Sequence, residues 1–373
     1  MQKKYTSLGL MSGTSGDGVD ASIINSNGID QFEVIKDKYF EYDTHIYENI
    51  HKIKEKIFST NDLEKVSKEL LDLERKITLF HAKIIKDLRL LNEDVLIGFH
   101  GQTIYHNSKE KISKQLGDGK LLSQLIKKKI VFDFRKNDIL NGGEGAPLAS
   151  IFHQLITTQH KIILPVCILN IGGISNITIV KKPIGSEEIF SKDIGPGNCL
   201  IDNWIRKNSK YKYDDNGKLA AIGEKNQIIF EQAQELYLNR IDKKKLSFDT
   251  NDFDISFARG LSLEDGVTTL TDFTASIIGQ ELSSSILSID TNINDILVCG
   301  GGRKNKTLLK KIKENLSSNI KLKLIDDFKI NGDFIESQAF AFLAIRSILK
   351  LPISFPNTTG CIKPCTGGEV IEN

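Results

Sequence analysis

The chain has 373 residues, more than one core usually organises, so two lobes are expected. Hydrophobic residues make up 40% and charged residues 26%, a balance that argues against a disordered or fibrous chain. Lysine and arginine number 50 against 48 acids, which speaks against a nucleic-acid partner; the runs Lys127–Lys129 and Lys243–Lys245 read as solvated faces. No apolar run approaches a membrane span, and the N-terminus enters a strand without a signal-peptide core, so neither a membrane nor export is expected. The five cysteines are odd in number. Cys167, Cys199 and Cys299 lie in apolar or glycine-rich surroundings, which fits reduced thiols in a cytoplasm. Cys361 and Cys365 form a C-x-x-x-C pair with no further Cys or His close by, so a zinc site is the lesser reading there.

The segment Tyr5–Asn25 reads as strand, glycine turn, strand. Leu8 and Leu10 alternate on the way in, and Val19, Ala21 and Ile23 on the way out. In the turn, Gly13, Gly16 and Gly18 permit positive φ and close backbone approach, and Ser12, Thr14 and Ser15 add hydroxyls. Asp17 and Asp20 bring carboxylates suited to the shell of a cation. Such a loop is an anion cradle or an ordinary hairpin; on its own it is evenly balanced between the two. From Thr44 to Leu91 the apolar stripe is helical (Ile46, Ile50, Ile53, Ile57, then Leu63, Val66, Leu70, Ile77, Ile84, Leu88), with a break at 59–62 and Asn61/Glu64 as a cap pair.

A short buried strand, Asp94–Phe99, runs into His100 and Gln102, and polar groups just past a strand's carboxyl end lie where α/β sheets bind ligands. The strand Ile130–Phe134 likewise ends in Arg135 and Asp138. Arg135 between acids is either a structural ion pair or an anion or sugar contact. Ile162–Val180 repeats the strand–turn–strand pattern around Gly172 and Gly173, which suggests a duplicated architecture with two facing turns. Asp193 precedes Gly195-Pro196-Gly197-Asn198, with Asn198 a cap for the next helix; the acid is a turn-former or a base beside bound phosphate. Residues 205–262 are polar, with a helix expected near Gln227–Leu238, and Leu263–Ile289 reads as a long amphipathic helix.

Asp295–Asn305 is a buried strand followed by Gly300, Gly301 and Gly302, a turn that lets a flat purine or a phosphate approach. It is not a Walker A loop, because Asn305 stands where that motif needs glycine. A further buried strand is expected at Lys321–Ile325 and a helix at Asp333–Lys350, where Glu336 has capping-box spacing from Asp333.

The runs GLMSGTSGDGVD, HGQT, DFRKNDI, GGEGAP, NIGGISN, DIGPGN, VCGGGRKN and ESQAFAFLA resemble, in order and spacing, those of anhydro-N-acetylmuramic acid kinases, within the sugar kinase/Hsp70/actin superfamily. The family's usual DTGPGN stands here as DIGPGN, and KKKLSFDTNDFD is only loosely similar to its proline-rich loop. The resemblance implies an α/β protein of two actin-like (ribonuclease H-like) lobes around a central cleft. Residues 1–137 and 138–351 would form the lobes, with 352–373 packing back on the first. It implies a cytoplasmic, homodimeric, ATP- and Mg2+-dependent kinase acting on a small-molecule sugar. Gly13, Thr14, Ser15, Gly16, Asp17, Gly18, Val19 and Asp20 match the ATP-phosphate segment. The later turns (Gly172, Gly173, Gly195, Gly197, Asn198, Gly300, Gly301, Gly302, Asn305) would complete the nucleotide site. Asp193 and Glu336 would be catalytic, and His100, Gln102, Arg135 and Asp138 would bind the sugar.

Overall fold

The computed structural model describes residues 3–91, 93–185, 187–240 and 245–372. Lys243 and Lys244 of the second basic run lie outside the described residues. The chain divides into two compact units. The first holds residues 1–162, 182–191 and 334–373, and the second holds 163–181 and 192–333. Residues 138–162, 182–191 and 334–351 thus sit with the first unit, whereas the sequence-based limits gave them to the second lobe. A segment near residue 335 carries no local mark of the sheet that it will cover.

The first unit is built on β1 (Tyr5–Ser12), β2 (Gly18–Ser26), β3 (Phe32–Glu41), β4 (Leu96–Asn107), β5 (Ile112–Leu116) and β6 (Ile130–Phe132). The second sheet is made of β7 (Val166–Ile171), β8 (Ile174–Val180), β9 (Ile189–Pro196, of which 192–196 belong to the second unit), β10 (Asp295–Cys299) and β11 (Lys321–Leu324). A last strand, β12 (Glu369–Ile371), returns to pair antiparallel with β6. The two sheets share one order: β3-β2-β1-β4-β6 and β9-β8-β7-β10-β11. In each, a hairpin leads (β1/β2, β7/β8), and later strands add in parallel (β4 on β1 and β6 on β4; β10 on β7 and β11 on β10). This is the ribonuclease H-like order, repeated, as the two similar glycine hairpins led one to expect.

One face of β1 is apolar. Leu8 and Leu10 are fully buried with Val19, Ile50, Leu73, Ile77 and Phe99 beneath the helices Thr44–Lys54 and Ser67–Asp87. The other face is small, and the helix Ile335–Ile348 lies directly on it. A Cβ at Gly9 would stand 1.9 Å from the Ser337 carbonyl oxygen and 2.5 Å from the Ala341 nitrogen, and one at Gly98 would stand 2.4 Å from Phe340 O. Backbone cannot step aside as a side chain can. Gly9→Val is therefore expected to lower stability by about 3 kcal/mol or more, read from the urea midpoint of the whole chain.

Several local details differ from their sequence expectations. The break at 59–62 holds a short helix, Thr60–Lys65, capped by Ser59 and Asp62 in place of Asn61 and Glu64; the Ser59 N–H donates to Asp62 Oδ2 at 3.0 Å. Leu263–Ile289 is one helix, but it is buried round most of its surface, because the polar stretch before it folds over it. Trp204, Ala220, Ala233 and Ile255 pack there with Val267, Leu270 and Phe273. The helix Gln227–Arg240 lies in that stretch as expected. β11 is an outer strand of its sheet and not a buried one, with Lys321 exposed and Leu324 37% exposed. No helix among the described residues is long and apolar enough to cross a membrane.

Candidate active site

The β1–β2 turn is the loop expected from the sequence to be of phosphate type. Gly16 alone of its three glycines takes a positive φ, +63°, and its N–H donates to Gly13 O at 3.1 Å. Gly18 is needed for closeness instead, since a Cβ there would meet Phe40 O and the Tyr39 hydroxyl, each at 2.5 Å. Gly13 has open space above it, with nothing nearer than Ser15 Oγ at 3.9 Å. Ser15 Oγ donates to Asp17 Oδ1 at 2.6 Å, and Val19 is buried in the core behind the loop. Burial, then the negative charge of Asp17, Glu41 and Asp20, holds the Tyr39 phenol above its ordinary range. Acidic charge is thus gathered beside this loop.

His100 and Gln102 lie inside β4, not past its end, because the strand runs on to Asn107 through a register shift opposite Met11. The His100 ring has its Nδ1 2.7 Å from Gly101 O and its Nε2 3.0 Å from Arg135 Nη2. A carbonyl only accepts and a guanidinium only donates, so the proton sits on Nδ1 and the ring is neutral. Burial and the Arg135 charge depress its pKa to about 3. His100 and Gly145 O, which accepts Nη1 at 2.8 Å, hold the half-buried guanidinium in place.

Asp138 is 1% exposed and turned to the loop beyond it, accepting from Gly145 N at 2.7 Å and from Thr359 Oγ1 at 2.6 Å. Gln102, fully buried, is turned to the phosphate-type loop. Of the four residues expected to touch a sugar, only Arg135 is more than marginally exposed.

Glu336 lies half-buried in the first turn of Ile335–Ile348. Its capping-box reading does not hold. Phe334 takes the cap position without a side-chain bond, and Asp333 instead accepts from Arg303 Nη1 at 2.6 Å and from Lys304 Nζ at 2.7 Å.

In the second unit three glycine turns converge. Gly197 N donates to Gly173 O at 2.9 Å, and Asn198 donates to Gly172 O from both its backbone and its Nδ2, at 2.8 and 3.1 Å. Asn198 therefore ties two turns together and does not cap its helix by side chain. Gly300 (φ +77°) passes so close to β7 that a Cβ would be 2.3 Å from Asn170 Oδ1. A Cβ at Gly302 would meet Ile171 at 2.3 Å, and one at Gly301 would meet nothing within 4 Å. Gly195 is the position of greatest backbone departure here, φ +138°. Asn305 caps the helix Lys306–Glu314, accepting from Leu308 N at 2.9 Å.

Asp193 lies within β9, 7% exposed. Its N–H donates to Leu246 O at 2.8 Å, and its Oδ2 accepts from Phe248 N at 2.8 Å. Leu246–Phe248 belongs to the poorly patterned stretch, and no local signal marked it as the partner of Asp193.

The profile of the anhydro-N-acetylmuramic acid kinase family matches residues 5–373. The chain belongs to this family. It is 57% identical over the full length of both chains to the anhydro-N-acetylmuramic acid kinase of Pelagibacter ubique. With that of Zymomonas mobilis it shares 35% identity, covering 97% of this chain and 98% of the other. With that of Gluconobacter oxydans it shares 34%, covering 98% and 99%. Among solved structures, an activator of 2-hydroxyisocaproyl-CoA dehydratase from Clostridium difficile with bound ADPNP is 11% identical. It aligns over 91% of this chain and 94% of its own at a TM-score of 0.42, too distant to carry a conclusion about ligand or chemistry. Family membership makes this chain a kinase.

Proposed function

We propose that this kinase uses ATP and water to convert 1,6-anhydro-N-acetylmuramic acid into N-acetylmuramic acid 6-phosphate and ADP, a step of peptidoglycan recycling. The observation that carries the proposal is Asp193, a buried carboxylate fixed by the Phe248 N–H two residues ahead of a turn that binds back to the β7–β8 hairpin. Water attacks C1, and its proton passes to the Asp193 carboxylate. The C1–O6 bond breaks, and O6 takes the γ-phosphoryl group as ADP leaves. Charge developing on O6 is used at once by phosphorus, so the two bond changes assist each other. Arg135, oriented by His100, holds the sugar, and Glu336 orients the sugar or the water. The Gly13–Asp20 loop takes the phosphates, and the turns at 172–173, 195–198 and 300–302 take the rest of the nucleotide.

Mg2+ belongs to the same proposal. Among the described residues no three His, Cys, Asp or Glu groups gather into a metal site. One or two carboxylates with phosphate oxygens suffice for this ion, and Asp17 and Asp20, whose charge raises Tyr39, fit that role. When bound, it offsets charge on the transferring phosphoryl group. A homodimer working in the cytoplasm completes the proposal; the free state of all five thiols is in keeping with that compartment.

The test is product mass after reaction in ¹⁸O water. The label is expected on the anomeric hydroxyl and not on the phosphate, with ADP released only when the anhydro sugar is present. Equal ADP release with ordinary N-acetylmuramic acid points to a kinase of unbridged sugars, and ATPase activity indifferent to sugar overturns sugar phosphorylation altogether.

A further inference from the structure

Gln102 is 0% exposed, and its amide is engaged on every side that carries hydrogen. Oε1 accepts from Ser12 Oγ at 2.5 Å, while Nε2 donates to Gly13 O at 2.9 Å and to Thr103 O at 3.1 Å. Ser12 Oγ also lies 2.9 Å from Gly18 O, so the two ends of the phosphate-type loop meet at this one side chain. Gly13 O receives a second donor, the Gly16 N–H.

A trans peptide is planar, with its C=O and the following N–H pointing in opposite directions. The only cis bonds among the described residues are Ala146–Pro147 and Leu164–Pro165. Drawing Gly13 O toward Gln102 therefore turns the Thr14 N–H the other way. Lys54 Nζ, reaching Thr14 O at 2.8 Å from the end of the helix Thr44–Lys54, does the same for the Ser15 N–H.

We propose that Gln102, assisted by Lys54, is a positioning residue that holds the Gly13–Gly18 loop with the Thr14 and Ser15 N–H groups presented to the phosphates of ATP, and is not a sugar ligand. This deepens the kinase proposal and rests on it. A glycine-rich turn released from these two donors samples many conformations, and the ordering cost then falls on nucleotide binding.

The test compares Gln102→Met, which keeps the volume and removes the amide, with the wild-type chain. Nucleotide affinity is measured by calorimetry with ADP, and the KM values for ATP and for the anhydro sugar are measured separately. Loss of the hydrogen bond to the half-buried Gly13 carbonyl should weaken nucleotide binding and raise the KM for ATP by about 10- to 100-fold, with the sugar KM within about threefold. Gln102→Glu, which keeps the Ser12 contact but loses the donor to Gly13, should show the same split. If Gln102→Met does not fold by thermal melt, Lys54→Met replaces it, with an expected loss of about 3- to 10-fold in nucleotide affinity. A sugar KM that rises while nucleotide affinity holds, or no change in either, overturns the proposal. If the wild-type chain binds nucleotide but does not phosphorylate the sugar, the kinase proposal fails while the affinity comparison still decides the role of Gln102.

Discussion

Asp193→Asn is expected to lower turnover by about 10²- to 10⁴-fold, the worth of a positioned general base, while nucleotide affinity stays at the wild-type level. Asparagine keeps the volume, and its carbonyl oxygen can still accept the Phe248 N–H that now binds Oδ2 at 2.8 Å, so the turn beyond it is not disturbed. What is lost is the second, anionic carboxylate oxygen on which a water proton can land, since asparagine puts a donor NH2 in its place. Single-turnover and steady-state rates with the anhydro sugar, beside calorimetry with ADP, give both quantities. A loss of less than about tenfold would remove Asp193 from the base role.

Acid is expected to unfold the first unit well before its carboxylates protonate. His81, His100 and His153 are all buried in it, and burial depresses their pKa values to about 4, 3 and 4 from an ordinary 6.5. For His100 the neighbouring Arg135 charge adds to the effect. The unfolded chain binds these protons below pH 6.5 and the folded chain does not. Stability is therefore complete above that pH and falls as pH drops toward the folded values. Each histidine contributes a slope of up to about 1.4 kcal/mol per pH unit, and three together up to about 4.

Urea unfolding at pH 7, 6 and 5 measures this, and a curve that is flat across that range would contradict it. His81→Leu should remove about a third of the slope. His81 Nδ1 bonds Ile77 O at 2.8 Å, within its own helix, and the ring packs on Phe99 of β4 at 4.8 Å between centroids, a contact that leucine can keep. The same depression keeps His100 neutral near pH 7, so the activity profile should show no limb from it.

Much was legible in the sequence because it was local. Period-two alternation gave the β1–β2 and β7–β8 hairpins, and glycine runs placed the turns at 13–18, 172–173 and 300–302 within a residue or two. Repetition of one hairpin pattern suggested a duplicated architecture, and the structure has two sheets of the same order. Polarity misled in two places. Outer strand β11 read as buried because its apolar residues do not reveal which strand lies beyond, and Leu263–Ile289 read as amphipathic because the stretch that covers it shows no pattern of its own.

The sequence by itself determined where the chain turns, which side chains of reactive type stand beside the turns, and, by resemblance, the kinase family. Tertiary structure alone decided which of those side chains are committed inward. Gln102 grips a carbonyl 89 positions earlier, Thr359 takes Asp138, and Phe248 reaches back 55 positions to Asp193. Residue type sets the number of hydrogen bonds a group can make, but the partner is whichever donor the folded chain brings within about 3 Å. That pairing is written in no stretch of local sequence.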